Sequence, residues 1–263
     1  MATSRIAFKN VSKRFPAKRP GEAEVLAVRD VTLTIADGEV VALIGPSGCG
    51  KSTLLNMGSG LYLPTAGTVE VDGAGVDGPN AHVAFMLQKD LLLPWRSIRE
   101  NAELGLEIRG VAAGERRSRA LDLLGKCHLK GFENHYPHQL SGGMRQRAAL
   151  ARTLAVDPTV LLMDEPFSAL DAQTKMVLQQ DLAQTLAGEG KTALLITHDL
   201  VESIALSDRV YVMSERPGTI IEEIVIEIPG REDPMRRRRD PRVGAYVAEL
   251  MSLLHVGEKI ETE

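Results

Sequence analysis

Residues 39–44, EVVALI, form a near-continuous apolar run, and Gly45-Pro46-Ser47-Gly48-Cys49-Gly50-Lys51-Ser52-Thr53 follows it directly. Such a run fits a strand buried on both faces. The residues after it match G-x-x-x-x-G-K-[ST], and the next residues, LLNM, continue as a helix. A glycine loop between a buried strand and a helix commits this part of the chain to an α/β layer structure. The glycines let the backbone curl until successive N–H groups face one anion, and the helix N-terminus adds the positive end of its dipole. In such a loop the lysine, here Lys51, reaches the β- and γ-phosphates of a nucleoside triphosphate, and the hydroxyl of Ser52 ligates Mg²⁺. The motif alone indicates a nucleoside triphosphate and nothing more specific.

The rest of the chain alternates in the same sense. Residues 5–9 and 31–35 read as short strands on either side of a charged Pro/Gly loop, and residues 67–72 and 82–87 as further strands. From Trp95 to about Ala155 the pattern is helical, opened by Ser97 and Glu100 at capping-box spacing and stopped by Asp157-Pro158. Strand periodicity returns at 159–163, 192–197 and 209–213, separated by helical stretches at roughly 172–187 and 199–206. Strands alternating with helices indicate a parallel sheet covered on its faces, with the long helical stretch inserted as a subdomain at about 96–156. Residues 5–228 make the main domain. A short extension, 229–263, ends in a helix at GAYVAELMSLL.

Composition removes several function classes. The 263 residues carry a formal net charge of −4, so bulk charge gives no support for nucleic acid as a partner. The two cysteines, Cys49 and Cys127, have neither pairing nor zinc spacing, which points to a reducing compartment. No run approaches the ~18 apolar residues of a spanning helix, and the N-terminus lacks a signal-peptide core. Any membrane role is therefore expected to pass through a partner.

Two further elements carry chemistry. An apolar strand ends in Asp164-Glu165-Pro166, which brings both carboxylates to the carboxyl edge of the sheet, where α/β folds bind ligands. Asp164 can hold Mg²⁺ through water, and Glu165 can orient and deprotonate an attacking water; the alternative is a solvent-facing acidic pair. Ser141-Gly142-Gly143 opens the last helix of the inserted stretch, and a Ser-Gly-Gly turn at a helix N-terminus is a second anion cradle. One nucleotide needs only one. Without the first loop, a flexible helix start would be the simpler reading.

In this order, GPSGCGKS (45–52), LSGGM (140–144), LLMDE (161–165), SALD (168–171) and THD (197–199) resemble the nucleotide-binding subunits of ABC transporters. The resemblance covers about residues 5–225. It implies a P-loop NTPase (ABC ATPase) core with an N-terminal antiparallel β-subdomain and an inserted α-helical subdomain. It also implies ATP and Mg²⁺ as cofactors, and a head-to-tail dimer with a second copy of the chain. Each ATP then lies between the P-loop of one copy, Gly45–Thr53, and Ser141–Gly143 of the other. By the same resemblance Gln88 contacts Mg²⁺ and the attacking water, Asp171 lies at the dimer interface, His198 contacts the γ-phosphate, and Phe15 stacks on adenine. Phe15 read by itself is as well a core residue, and His198 a cap for the helix that follows.

QKDLLLPW (88–95), DEPFSALD (164–171) and SERPGTI (214–220) look like the nitrate, sulfonate and taurine importer branch. This implies an ATPase peripheral on the cytoplasmic face of the inner membrane, energising uptake of a small anion. Its partners would be transmembrane permease subunits and, indirectly, a solute-binding protein. Leu91–Trp95 would then form a docking groove for a permease helix, unless Trp95 packs under the inserted helices. Arg236–Arg239 reads as a solvated charge run, or as a contact to anionic lipid. Two other functions fit parts of the pattern: a soluble ABC ATPase acting on DNA or ribosomes, which needs long insertions or a second cassette, and a small-metabolite kinase, which leaves LSGGM and SALD without a purpose.

Overall fold

The computed structural model describes residues 4–255 apart from 18, 20 and 22. β1 (Ser4–Phe15) and β2 (Val25–Ala36) pair antiparallel as 12-residue strands, longer than the two five-residue strands expected. Their alternation is hidden by irregularities. Asn10 and Asp30 take φ of 50° and 47°, and the register shifts between Phe8 and Val11, so the apolar phase breaks while the ladder continues.

The strand β3 (Val40–Ile44) is buried throughout and feeds α1 (Lys51–Gly58) through the glycine loop. β4 (Ala66–Val71) and the short β5 (Ala74–Gly75) complete the first sheet, in the order β2-β1-β4-β5. After β6 (Val83–Met86) come three helices, α2 (Ile98–Ile108), α3 (Ala113–Lys126) and α4 (Gly142–Ala155). Ser97 begins α2 with the capping box its spacing predicts. The remaining elements are β7 (Val160–Asp164), α5 (Ala172–Gly188), β8 (Thr192–Ile196), α6 (Leu200–Leu206), β9 (Arg209–Met213), β10 (Ile220–Val225), α7 (Pro234–Arg237) and α8 (Val243–Leu253).

The second sheet has the order β10-β9-β3-β8-β7-β6, parallel from β9 to β6, with β10 antiparallel at one edge. β3 and β7 thus flank β8, and both end at the same sheet edge. That neighbourhood brings the glycine loop and the 164–165 carboxylates together. Leu43, Leu55, Leu162 and Ile196 fill the layer between the two sheets, and Met86, Ile98, Ala148 and Leu161 join the inserted helices to the other face. Each such buried Leu or Ile side chain contributes about 1.5–3 kcal/mol, so the edge carrying the site is among the most firmly held parts.

The reading of the four-arginine run as a solvated stretch holds for Arg236 and Arg239 and is corrected at Arg237. Arg237 is only 2% exposed, and it donates to Ser207 O at 2.9 Å and Ala205 O at 3.3 Å. Its guanidinium closes off carbonyls at the end of α6, where a cation also meets the negative end of the helix. Trp95, by contrast, does not pack under the inserted helices: it is 71% exposed.

Candidate functional site

The loop from Gly45 to Gly50 is shaped by its glycines. Gly50 sits at φ 111°, and a Cβ there would lie 2.4 Å from Val28 Cγ1 and 2.9 Å from Ala27 O. No other residue type takes that conformation in that space without strain. Lys51 Nζ donates to Gly45 O at 2.8 Å and Pro46 O at 2.9 Å, which holds the ammonium over the concave side of the loop. Cys49 points into the core at 1% exposure, so within this loop it acts as a packing residue.

A cleft of about 390 Å³ opens above the loop. Ser47, Gly48, Lys51, Ser52 and Thr53 form its floor, and Gln88, Asp164 and Glu165 one wall. Phe15, Val25 and Ala27 supply an apolar end. The Phe15 ring meets Tyr62 edge-on, with centroids 5.5 Å apart, and Lys13 Nζ lies 5.4 Å from its centre. Phe15 is thus half-buried at the cleft mouth and is not a core residue.

Burial pushes the Asp164 carboxyl above the ordinary aspartate value; a hydrogen bond from Ser52 opposes this, and the charge of Glu165 adds to it. A carboxylate held back from ionising beside a hydroxyl is a site that gains from a cation. Among the described residues no group of three or more His, Cys, Asp or Glu could hold a metal alone. Mg²⁺ fits Ser52 and Asp164 nonetheless, because it takes hard oxygen donors and completes its shell with water and substrate phosphates.

Glu165 is the most heavily contacted member of the site. It takes φ 49°, unusual for a non-glycine residue, which aims its side chain along the cleft wall. Gln88 Nε2 donates to Glu165 Oε2 at 3.0 Å, and His198 Nδ1 lies 3.5 Å from Oε1. The Glu165 carbonyl accepts from Ser168 Oγ at 3.0 Å and from the buried Gln146 Nε2 at 3.2 Å, and Gln146 Oε1 in turn accepts from Ala169 N. Buried polar groups of this kind hold one geometry because each lost partner is costly.

The other expected residues lie apart. Ser141 caps α4, its Oγ accepting from Met144 N at 3.3 Å, and neither it nor Gly142 or Gly143 lines the cleft. Asp171 caps α5 through Thr174 N at 3.0 Å and faces solvent; the Thr174 hydrogen bonds hold its carboxyl below the usual range.

Three arginines belong to this region that motif reading did not find. Arg216, in the turn between β9 and β10, lines the cleft and donates from Nε and Nη2 to Gly48 O at 3.1 and 3.0 Å. Arg145 and Arg152 on α4 hold the segment after Gln88. Arg145 Nε lies 3.0 Å from Asp90 Oδ2, and Arg152 donates to Asp90 O at 2.7 Å and Leu91 O at 2.8 Å. Arg145 and Arg152 are seven positions apart, hence on one helix face, but nothing local to α4 reveals their partner.

Residues 28–168 match the family model described as ABC transporter. The chain is 43% identical over 259 residues to the nitrate import ATP-binding protein NrtD of Synechocystis sp., covering 97% of this chain and 96% of that protein. It is 45% identical over 205 residues to the taurine import ATP-binding protein TauB of Yersinia pestis, covering 78% and 80%. Among solved structures it resembles the dimeric post-hydrolysis state of the ATP-binding cassette MJ0796 bound to ADP and Pi. The TM-score is 0.77 at 34% identity, over 84% of this chain and 99% of that one.

Proposed function

The chain belongs to the ABC transporter ATP-binding family, a family of nucleotide-binding ATPases, and from that membership we propose that it energises import of a small anion of the nitrate or alkyl-sulfonate class. Permease subunits would carry the solute and the chain would work from the cytoplasmic membrane face; no helix among the described residues is long and apolar enough to cross a bilayer. A solute-binding protein would select the cargo upstream. Support for the cargo class comes from relatives named for nitrate and taurine import.

The observation that carries the catalytic reading is that the cleft joins one phosphate loop to a carboxylate pair, while the second cradle, Ser141–Gly143, lies outside it. The glycine loop and Lys51 bind the triphosphate, and Phe15 covers the base. Ser52 and Asp164 would hold Mg²⁺, which would supply neutralisation of phosphate charge. Glu165 takes a proton from the attacking water, with Gln88 fixing its carboxylate and His198, beside it, contacting the γ-phosphate. Placement and electrostatics dominate phosphoryl transfer, so a wall built on buried strand ends suits the task. Ser141–Gly143 of a second copy completes the site from the other side, and Asp171 faces that copy. A dimer is also the form in which the cassette MJ0796 was solved.

The test is light scattering on a sizing column with Glu165→Gln, alone and combined with Ser141→Arg. With Mg-ATP, Glu165→Gln should bind nucleotide, hydrolyse less than about 1% as fast as the parent, and run at about twice the 28.5 kDa of one chain. The double variant should bind ATP through its own loop and stay monomeric. A dimer that survives Ser141→Arg, or a Glu165→Gln single variant that binds ATP fully yet stays monomeric, refutes the composite site.

A further inference from the structure

The run Arg236–Arg239 divides between two environments. Arg236 and Arg239 face solvent, Arg237 is buried under α6, and Arg238 starts a polar path through the protein. Arg238 Nη2 donates to Gln179 Oε1 at 2.6 Å, and Gln179 Nε2 donates to Glu202 Oε2 at 2.7 Å. Lys175 Nζ lies 2.8 Å from that same Glu202 oxygen and 2.8 Å from Asp199 Oδ2. Asp199 Oδ1 accepts from the Glu202 N–H at 3.0 Å, capping α6, and the Asp199 N–H donates to Thr197 Oγ1 at 3.1 Å. Residue 198 is the one between these two anchors.

This path has the properties of a fixed strut. Gln179 and Glu202 are 0% and 2% exposed, so water cannot replace a lost partner. Arg238 engages the carbonyl oxygen of Gln179 and Glu202 its amide nitrogen, so the side chain bridges the two through its two ends. The far end is firmly held too, since Gln180 Nε2 donates to Glu232 O at 3.0 Å and Pro234 is buried. The near end has little else to hold it. The His198 side chain is 70% exposed, so its place beside Glu165 depends on the flanking residues and not on packing around the ring.

We propose that Arg238, in the C-terminal extension, is a positioning residue for ATP hydrolysis, acting through Gln179, Glu202, Lys175 and Asp199 to hold His198 against Glu165. The proposal rests on the reading of His198 as the γ-phosphate contact. It gives the extension a part in the catalytic step that binding of the nucleotide does not require.

The test is a double-mutant cycle in the full chain with Arg238→Met, His198→Ala and the pair, read as kcat and KM for ATP. Methionine keeps the packing of the stem and removes the donors. Arg238→Met should lower kcat about five- to twentyfold with KM within about twofold, the pattern of an interaction used in the transition state alone. Arg238→Lys, which retains a donor, should recover more than half of that loss. In the His198→Ala background, Arg238→Met should cost nothing further. An unchanged kcat for Arg238→Met, or its full loss on top of His198→Ala, overturns the proposal and leaves His198 in its role. Unchanged turnover for His198→Ala overturns that role and the proposal with it. If Arg238→Met fails to fold, Gln179→Met interrupts the path one step inward and carries the same expectations.

Discussion

Gly218→Ala tests whether the turn after β9 is part of the nucleotide cleft, since this glycine lies outside every motif that marks the site. Its backbone N–H donates to Ala27 O at 3.0 Å, and its carbonyl accepts from Arg29 N at 2.9 Å, which stitches the turn to β2. A Cβ at residue 218 would stand 2.0 Å from Cys49 O and 2.6 Å from Met213 Cε. The methionine tip can swing away. The carbonyl cannot, because it belongs to the loop whose N–H groups must face phosphate. An ordinary carbon–oxygen contact is about 3.3 Å, so turn and loop must separate by roughly 1.3 Å. A misplacement of about 1 Å in a catalytic constellation costs on the order of 100-fold in rate. The steric cost to stability is about 1–3 kcal/mol, which for a chain of this size lowers Tm by roughly 2–12 °C. Steady-state ATPase kinetics and a thermal melt measure both. A Gly218→Ala protein within twofold of the parent in kcat/KM would show that the turn yields freely, and the bracing argument would fall.

Asp164→Asn should lose hydrolysis yet melt at a higher temperature than the parent at pH 7–8 in buffer free of Mg²⁺ and nucleotide. Burial raises the native pKa of Asp164, so the folded chain holds a proton that the unfolded chain has released, and stability falls as pH rises through that window. The gain in Tm should therefore disappear below about pH 4; a lower Tm at neutral pH contradicts the sign. Arg216→Ala should raise KM for ATP about three- to tenfold with kcat within about threefold, since the guanidinium contacts a loop carbonyl and none of the hydrolytic groups. Unchanged kinetics would make Arg216 a bystander at the cleft edge.

The parts of the site readable in sequence are those whose chemistry is local. Gly45–Ser52 declares itself because φ, curl and charge are properties of consecutive residues, and Asp164-Glu165 because an apolar strand must end where its sheet ends. The parallel core strands were readable for the same reason: runs such as Val40–Ile44 are apolar throughout. β1 and β2 were half-read, because bulges reset their alternation near Asn10 and Asp30. Arg216 went unread because its approach to Gly48 depends on β9 lying beside β3, a fact of sheet order. Gln146 likewise looks like any polar helix residue until α4 is laid against the end of β7. The arginine run misled most. Charge predicts solvent on average, yet Arg237 finds carbonyls at the end of α6 that only the folded chain assembles.

On the proposed reading of Gln88 and Glu165, the segment from Gln88 to Trp95 is the path by which an event at the γ-phosphate would leave the cleft. Its first residue donates to Glu165. Two residues on, Asp90 pairs with Arg145, and the carbonyls of Asp90 and Leu91 are held by Arg152. Leu91 takes φ 42°, so the chain turns sharply there. Asn101, wholly buried, then fixes the turn's far side, accepting from Leu93 N at 2.7 Å and donating to Leu93 O and Arg96 O at 3.1 Å. Next comes Trp95, exposed on the surface. A stretch pinned by charged and buried polar partners at each step has little freedom to absorb a displacement locally. With Glu165 as the proposed base, a displacement of its carboxylate would be passed to α4, which carries Ser141 at its N-terminus, or to the surface around Trp95. The first would loosen a second copy's grip on nucleotide and the second would push on whatever partner covers that surface. Because both outputs share one pinned segment, release of the nucleotide dimer and motion at the partner should occur together.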